Sequence, residues 1–276
     1  MTDGNKTSKN ISGESSKNIL VISIHPVLEF DEVSLFEKLG FNVFSLGFYT
    51  DRDVQVKMSI ADQHTMRRSL VNSEWHKMLQ MAGGQGKFGR LDNDPADWFV
   101  TEEFMENFDT IVVHHNFRFI IKNWEAISKK RVIWRTIGQE LETAEQAMRP
   151  YREKGMEIVR WAEAETEIPG YIGGDIVIRA SKDPREWMGW TGQEARFVTF
   201  NNDFVQRADG LNYAFYQKCT ENGPFDLFGL RNNGIKNWKG VATHKEQIDI
   251  LRKYRGCFVT GTYPAPYTLG LIESWM

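Results

Sequence analysis

Side chains able to do chemistry fall in three places in this sequence, each directly behind a short apolar run. His114, His115 and Asn116 follow Asp109 to Val113, while Asn201, Asn202, Asp203 and Arg207 follow Phe197 to Phe200. The tract from Thr260 to Met276 follows Cys257 to Val259 and carries one carboxylate, Glu273. A residue at the C-terminal end of a parallel strand stands at the edge where ligands of α/β sheets bind, so an imidazole such as His115 can meet a reacting group there. His25, between the first apolar run and Pro26, occupies the equivalent lip. Arg207 offers a planar fork suited to two phosphate oxygens. A helix opening near Thr268, Leu269 and Gly270 would present unpaired amides and the positive end of its dipole to an anion such as a diphosphate. Glu273, further along that helix, can accept hydrogen bonds from both hydroxyls of a ribose. Each place also has a purely structural alternative: a satisfied, partly buried histidine, a solvated arginine, or an ordinary acidic residue in a capped helix.

The elements that must position these residues alternate between two periodicities. Ile19 to Ile24 is almost continuously apolar and rich in β-branched residues, the pattern of a strand buried on both faces of a parallel sheet. Glu29 to Leu39 places Phe30, Val33, Phe36 and Leu39 at helical spacing and stops at Gly40, and Asn42 to Leu46 reads as the next strand. Ser73 to Met81 is expected to be helical, whereas Gly83, Gly84, Gly86 and Gly89 open a loop with no assigned fold. The series then resumes: strand Asp109 to Val113, a helix with Ile120, Ile121 and Trp124 on its apolar face, strand Arg131 to Ile137, helix Glu142 to Glu153, strand Met156 to Val159. Between Ala162 and Gly192 the periodicity lapses around several Gly and Pro residues, and a domain boundary is placed there. A second series follows, with strands Arg196 to Phe200, Phe225 to Phe228 and Cys257 to Thr260. Its helices are Leu211 to Thr220, Thr243 to Tyr254, and a last one opening near Thr268. Thr243 with Glu246 forms a capping box. The expectation is α/β: a disordered tail over 1–18, a Rossmann-like domain over 19–192 and a second over 193–276, with parallel sheets facing a cleft.

Composition narrows the function classes. With 41% apolar and 26% charged residues in 276, the chain can bury ordinary cores, and a net charge of -3 without a basic field argues against nucleic acid as a partner. Cys219 and Cys257 lie far apart with no Cys-x-x-Cys spacing, so neither a metal site nor a disulfide framework is expected. The sequence contains no apolar run long enough to span a bilayer and no signal-peptide pattern at its start, from which a cytoplasmic location is expected. No Gly-x-Gly-x-x-Gly stands directly behind the first strand at Ile24, and no Walker-type Gly-Lys-Ser/Thr occurs, which counts against dinucleotide and P-loop chemistry. Asp92-Asn93-Asp94 reads as a turn, Arg67-Arg68 as a surface pair, and Trp187, Trp190 and Trp238 as interface packing.

The terminal tract resembles the donor-binding motif of retaining GT-B glycosyltransferases of family 4, which has the form Glu-x-Phe-Gly-Leu-x-x-x-Glu-Ala. Tyr267, Thr268 and Leu269 take the Phe-Gly-Leu places and Glu273 the second Glu, while Ala265 stands where the first Glu is expected. The family also has Gly-Arg-Leu and a later Lys after the second domain's first strand; here Asn201, Asn202 and Asp203 hold the former places and Arg207 the latter. The resemblance implies a hexosyltransferase with a nucleotide-sugar donor, an acceptor of unknown type, retention of configuration, and no cofactor or metal. Tyr267, Thr268, Leu269, Gly270, Glu273 and Arg207 would bind the donor, His115 would face the transferred sugar and His25 the acceptor. In the family the last helix is followed by further strands and helices, so the resemblance also implies a donor domain truncated at Met276, whose exposed edge would favour a homodimer. The alternatives are a non-catalytic nucleotide- or sugar-binding protein with a GT-B-like shell, and a GT-B-shaped epimerase.

Overall fold

The structure is a computed structural model that describes residues 17–23, 26–45, 100, 102–138, 141–180, 182–261 and 269–276. His25, the 73–81 helix, the glycine loop, Arg67-Arg68, Asp92-Asn93-Asp94, Ala265, Tyr267 and Thr268 lie outside these residues.

The first unit is a six-stranded parallel sheet. Its strands are β1 (Asn18–Ile22), β2 (Asn42–Ser45), β3 (Thr110–His114), β4 (Arg131–Arg135), β5 (Glu157–Arg160) and β6 (Ile176–Val177), in the order β2-β1-β3-β4-β5-β6. The helices are α1 (Pro26–Lys38), α2 (Glu102–Met105), α3 (Phe117–Ile127) and α4 (Glu142–Glu153), with a 3-10 turn at Glu163–Glu167. Period-two alternation divides the apolar runs between two faces. Leu20, Ile22, Ile111, Val113 and Trp134 pack with α3 and α4 through Phe119, Ile120, Ala144 and Met148. Ile19, Val21 and Val112 pack on the opposite side against Val33 of α1. On α3, Ile120 is buried but Ile121 is 43% exposed, which corrects its expected place on the apolar face. The polar Asn123 is buried instead, accepting from the Val100 amide and donating to the Phe119 carbonyl.

The aperiodic stretch beyond Ala162 is held by polar side chains, which leave no hydrophobic rhythm to read. Arg160, at the end of β5, is buried and donates to both carboxylate oxygens of Glu145 at 2.5 and 2.9 Å. It also donates to the Gly173 carbonyl and lies over the Tyr171 ring at 4.4 Å. Burial alone would lower the Arg160 pKa, but Glu145 and Glu165 outweigh it and hold it above the usual range. The Ile172 amide closes the arrangement on Glu145 at 3.0 Å. A Cβ at Gly174 would stand 2.6 Å from Arg160 Cγ, so the loop lies directly on this side chain.

The second unit is a three-stranded parallel sheet of β7 (Glu194–Phe200), β8 (Phe225–Phe228) and β9 (Tyr254–Cys257), in the order β8-β7-β9. It carries α6 (Tyr213–Thr220), α7 (His244–Lys253) and α8 (Leu269–Trp275), with α5 (Pro184–Trp187) in the connector before it. β9 begins three residues before the strand expected from the apolar run, because Tyr254 and Gly256 pair with β7. The Thr243–Glu246 capping box forms as expected. Aromatic residues fill the small core: Phe204, Leu211, Tyr216 and Leu227 are buried, with Tyr213, Trp238 and Phe258 against them. Among the described residues, no helix is long and apolar enough to cross a membrane.

Removing a partner from a buried ion pair leaves an uncompensated charge, whereas an exposed pair contributes little. Glu145→Ala should therefore lower unfolding free energy by about 3–5 kcal/mol. Glu157→Ala, which removes the partly exposed partner of Arg131, should cost under about 1 kcal/mol. Urea titration of both variants compares them, and equal losses would contradict this account of the 160–175 region.

Candidate functional site

Each sheet reverses its winding direction at one point. In the first sheet β1 is flanked by β2 and β3, and in the second β7 is flanked by β8 and β9, so the switch points lie at the β1/β3 and β7/β9 strand ends. Crevices form there because the connections leave in opposite directions.

At the switch point of the second sheet is a shallow open hollow, lined by residues 199–201 at the end of β7, 257–261 at and beyond the end of β9, and Gly270 of α8. The Phe258 carbonyl accepts from Thr199 Oγ1 at 2.7 Å, locking the two strand ends together. Thr260 Oγ1 donates to the Leu211 carbonyl at 2.6 Å, and the Asn212 amide donates to the Thr260 carbonyl at 3.1 Å. These bonds tie the start of the terminal tract to the turn of residues 203–211 that carries Arg207. Two segments that the sequence places far apart are thereby joined through Thr260.

Arg207 is exposed, and its charge helps hold the Asp203 carboxylate below the usual carboxylate range; the larger cause is the direct bond from Arg231 to Asp203. Asn202 accepts from the Leu230 amide at 2.8 Å, which fastens the β7 end to the β8 end. Gly229 lies so close that a Cβ would collide with the Asn201 carbonyl, and its φ of 140° also favours glycine. Asp203 and Arg231 follow β7 and β8 with φ of 55° and 54°, the left-handed region rarely used by such residues. Strained backbone of this kind is kept where its surroundings fix it, commonly at ligand sites.

At the first switch point, His115 follows β3 with φ 55°, its amide donating to the Arg135 carbonyl at 2.9 Å. His114 before it is buried, and among the described residues neither of its ring nitrogens has a hydrogen-bond partner. Burial, opposed by the Glu32 carboxylate 3.9 Å away and aided by Arg135, pushes its pKa down to about 4. Arg135 donates to Glu32 at 3.2 Å and to the Arg160 carbonyl at 2.9 Å.

Glu273 does not stand open on the rim. It is 3% exposed, with Oε1 3.3 Å from Lys182 Nζ and Oε2 accepting from the Gln247 amide at 2.5 Å. Lys182 in turn lies 2.8 Å from Asp31 of α1. Burial alone would lower the Lys182 pKa, but the two carboxylates outweigh it and hold it above the usual lysine range. Burial raises Asp31 to about 6 against the pull of Lys182. Beside this chain, Leu28 of α1, Trp161, Ala162 and Ile272 of α8 form a small apolar seam between the two units. The hollow feels Glu273 as well: the Cys257 thiol is pushed up to about 11, mainly by burial and further by the Glu273 charge.

The sequence reading thus located Arg207, Gly270, Leu269 and Glu273 on elements that meet at one switch point, and His115 at the other. It missed Lys182, Asp31 and Gln247. The available signal for Asp31 was its place three residues after Leu28, on one face of α1. Lys182 follows the irregular 162–180 stretch, where sequence gives no register.

The fold and site define a doubly wound α/β protein with two Rossmann-like parallel sheets, each with residues able to do chemistry at its switch point. No family model matches the sequence, nor does any curated protein. Among solved structures the chain is similar to CalG4, the calicheamicin glycosyltransferase, with TM-score 0.39 and 11% identity over 95% of this chain and 77% of that one. It is similar to the glycosyltransferase SnogD from Streptomyces nogalater, with TM-score 0.39 and 12% identity over 88% and 76%. A third is the glycotransferase of kitacinnamycin, with TM-score 0.32 and 11% identity over 87% and 74%.

The raised Asp31 and lowered His114 act in opposite senses on stability. Asp31 binds its proton more readily when folded, so its contribution falls as pH rises from about 4 to 6; His114 binds its proton less readily when folded, so its contribution rises from about pH 4 to 6.5. Relative to the wild type, Asp31→Asn should gain stability as pH rises through that window, and His114→Gln should lose it. Urea midpoints across pH 4 to 7 read both differences, and parallel curves would contradict the assignment.

Proposed function

We propose that this chain is a glycosyltransferase, moving a sugar from a nucleotide-sugar donor to an acceptor whose type the residues do not specify. The observation that carries the reading is the hollow at the β7/β9 switch point, whose lining residue Thr260 bonds to the turn that carries Arg207. The donor diphosphate would lie there, within reach of Arg207 and of the amides near Thr268, Leu269 and Gly270, with Tyr267 beside it and Glu273 serving the ribose. Those fixed positive charges and dipoles would stabilise the diphosphate as it leaves, an electrostatic task that needs neither cofactor nor metal. His115 at the first sheet's switch point would meet the transferred sugar, and His25 the acceptor. Retention of configuration is part of the proposal and follows the resemblance of the terminal tract alone.

A non-catalytic nucleotide- or sugar-binding protein is the second reading. What favours it is Asn202, which takes an arginine's place in the motif and is used here to hold the Leu230 amide, so one phosphate-binding cation is missing.

Titration calorimetry with ADP, GDP, UDP, dTDP and their sugar conjugates tests the site. One nucleoside diphosphate should bind, and Arg207→Ala, an exposed change that spares the fold, should weaken it by about tenfold or more, the worth of a charge-assisted bond. Absence of binding across the panel would contradict both readings. Binding without transfer to any acceptor, or hydrolysis, would select the second.

A further inference from the structure

We propose that Lys182 is a latch that competes with the nucleotide for Glu273. In the unliganded protein it ties the two units together, and the ribose displaces it. The proposal rests on reading the second unit as a nucleotide site, and it adds a coupling between that site and the seam.

Glu273 is 3% exposed with Oε1 facing Lys182 and Oε2 accepting from Gln247, so a ribose reaches it only if a neighbour moves aside. Geometry selects which contact gives way. Gln247 belongs to α7 of the same unit, whereas Lys182 comes from the connector, sits 3.3 Å from Glu273 and has a nearer partner, Asp31, at 2.8 Å. When Lys182 leaves Glu273 it keeps Asp31 as a neutral buried pair, so no cation is stranded. With both carboxylates ionised, the three groups together carry one excess negative charge, and the exchange leaves that charge on Glu273, where hydroxyl donors can satisfy it.

Lys182 is also placed to transmit the change. It lies in the connector between β6 and β7, and its neighbour Asp183 is 3.5 Å from Lys38 of α1. Its ammonium lies 6.0 Å from the Trp187 ring of α5. On the other side, Ile272, adjacent to Glu273, packs against Leu28 and Trp161 of the first unit. Loss of the Lys182–Glu273 contact therefore removes an ion pair that joins α8 to the first unit beside this apolar seam.

Two substitutions shift the competition in opposite directions, a pattern that a merely structural role would not give. Lys182→Met keeps an unbranched apolar chain of similar length and removes the competing charge, so the nucleoside diphosphate that binds the wild type should bind about tenfold tighter. Asp31→Asn removes the alternative partner of Lys182, leaving it wholly on Glu273, so the same ligand should bind more weakly. Calorimetry with ADP, GDP, UDP and dTDP on the full chain reads both. Equal affinity in the wild type and both variants overturns the latch while leaving the nucleotide site standing. No binding by any of the three overturns the nucleotide site and the competition together. Should Lys182→Met not fold, Asp31→Asn decides alone: weaker binding supports the latch and unchanged binding overturns it.

Discussion

A lysine ammonium shut between two carboxylates, one on α1 and one on α8, is the contact on which the arrangement of this molecule depends. Lys182 and Glu273 are nearly excluded from solvent and Asp31 is mostly covered, and removing Lys182 would leave two carboxylates facing each other without a cation. The apolar seam beside them is small among the described residues, with Leu28, Trp161, Ala162 and Ile272 buried and Ile137 and Ala180 packed against them. Hydrophobic burial holds each sheet unit together internally, but the position of one unit against the other rests to a large extent on this polar chain. A contact of that kind is specific in geometry and sensitive to any ligand that offers Glu273 another partner.

Around it, the two sheets solve the same topological problem twice. In each, the chain winds outward on one side of its first strand and then returns to the other side, so a crevice opens at the C-terminal ends of two adjacent strands. His114 and His115 stand at one crevice, and residues 199–201 with 257–261 at the other. Left-handed backbone at His115, Asp203 and Arg231, each directly after a strand, shows that these ends are held in conformations that the chain would not choose freely.

Much of this was legible in the sequence wherever burial follows a period. The β-branched runs at Ile19 and Asp109 gave strands because both sheet faces are covered, and helix Glu142–Glu153 and strand Phe225–Phe228 have the bounds their residues suggested. Reading failed where polar groups carry the structure. The loop on Arg160 has no apolar rhythm because Glu145 and a guanidinium fix it, and β9 starts early because backbone pairing at Tyr254 needs no apolar side chain. Ile121 faces outward because Asn123 takes an inward place, its amide occupied by Val100 and Phe119. For the candidate site, sequence proposes Arg207 and Glu273 through spacing within short tracts. That Glu273 is shared with Lys182 and Gln247 depends on three segments meeting in space, and no spacing records such a meeting.

Hydrogen–deuterium exchange with and without the bound nucleoside diphosphate tests the central claim most directly. The account predicts slower exchange at residues 199–201 and 257–261, which line the hollow, together with faster exchange in α1 and the 182–187 connector as the latch is released. Protection confined to the strand ends at 110–116, or slower exchange in the connector on binding, would contradict it.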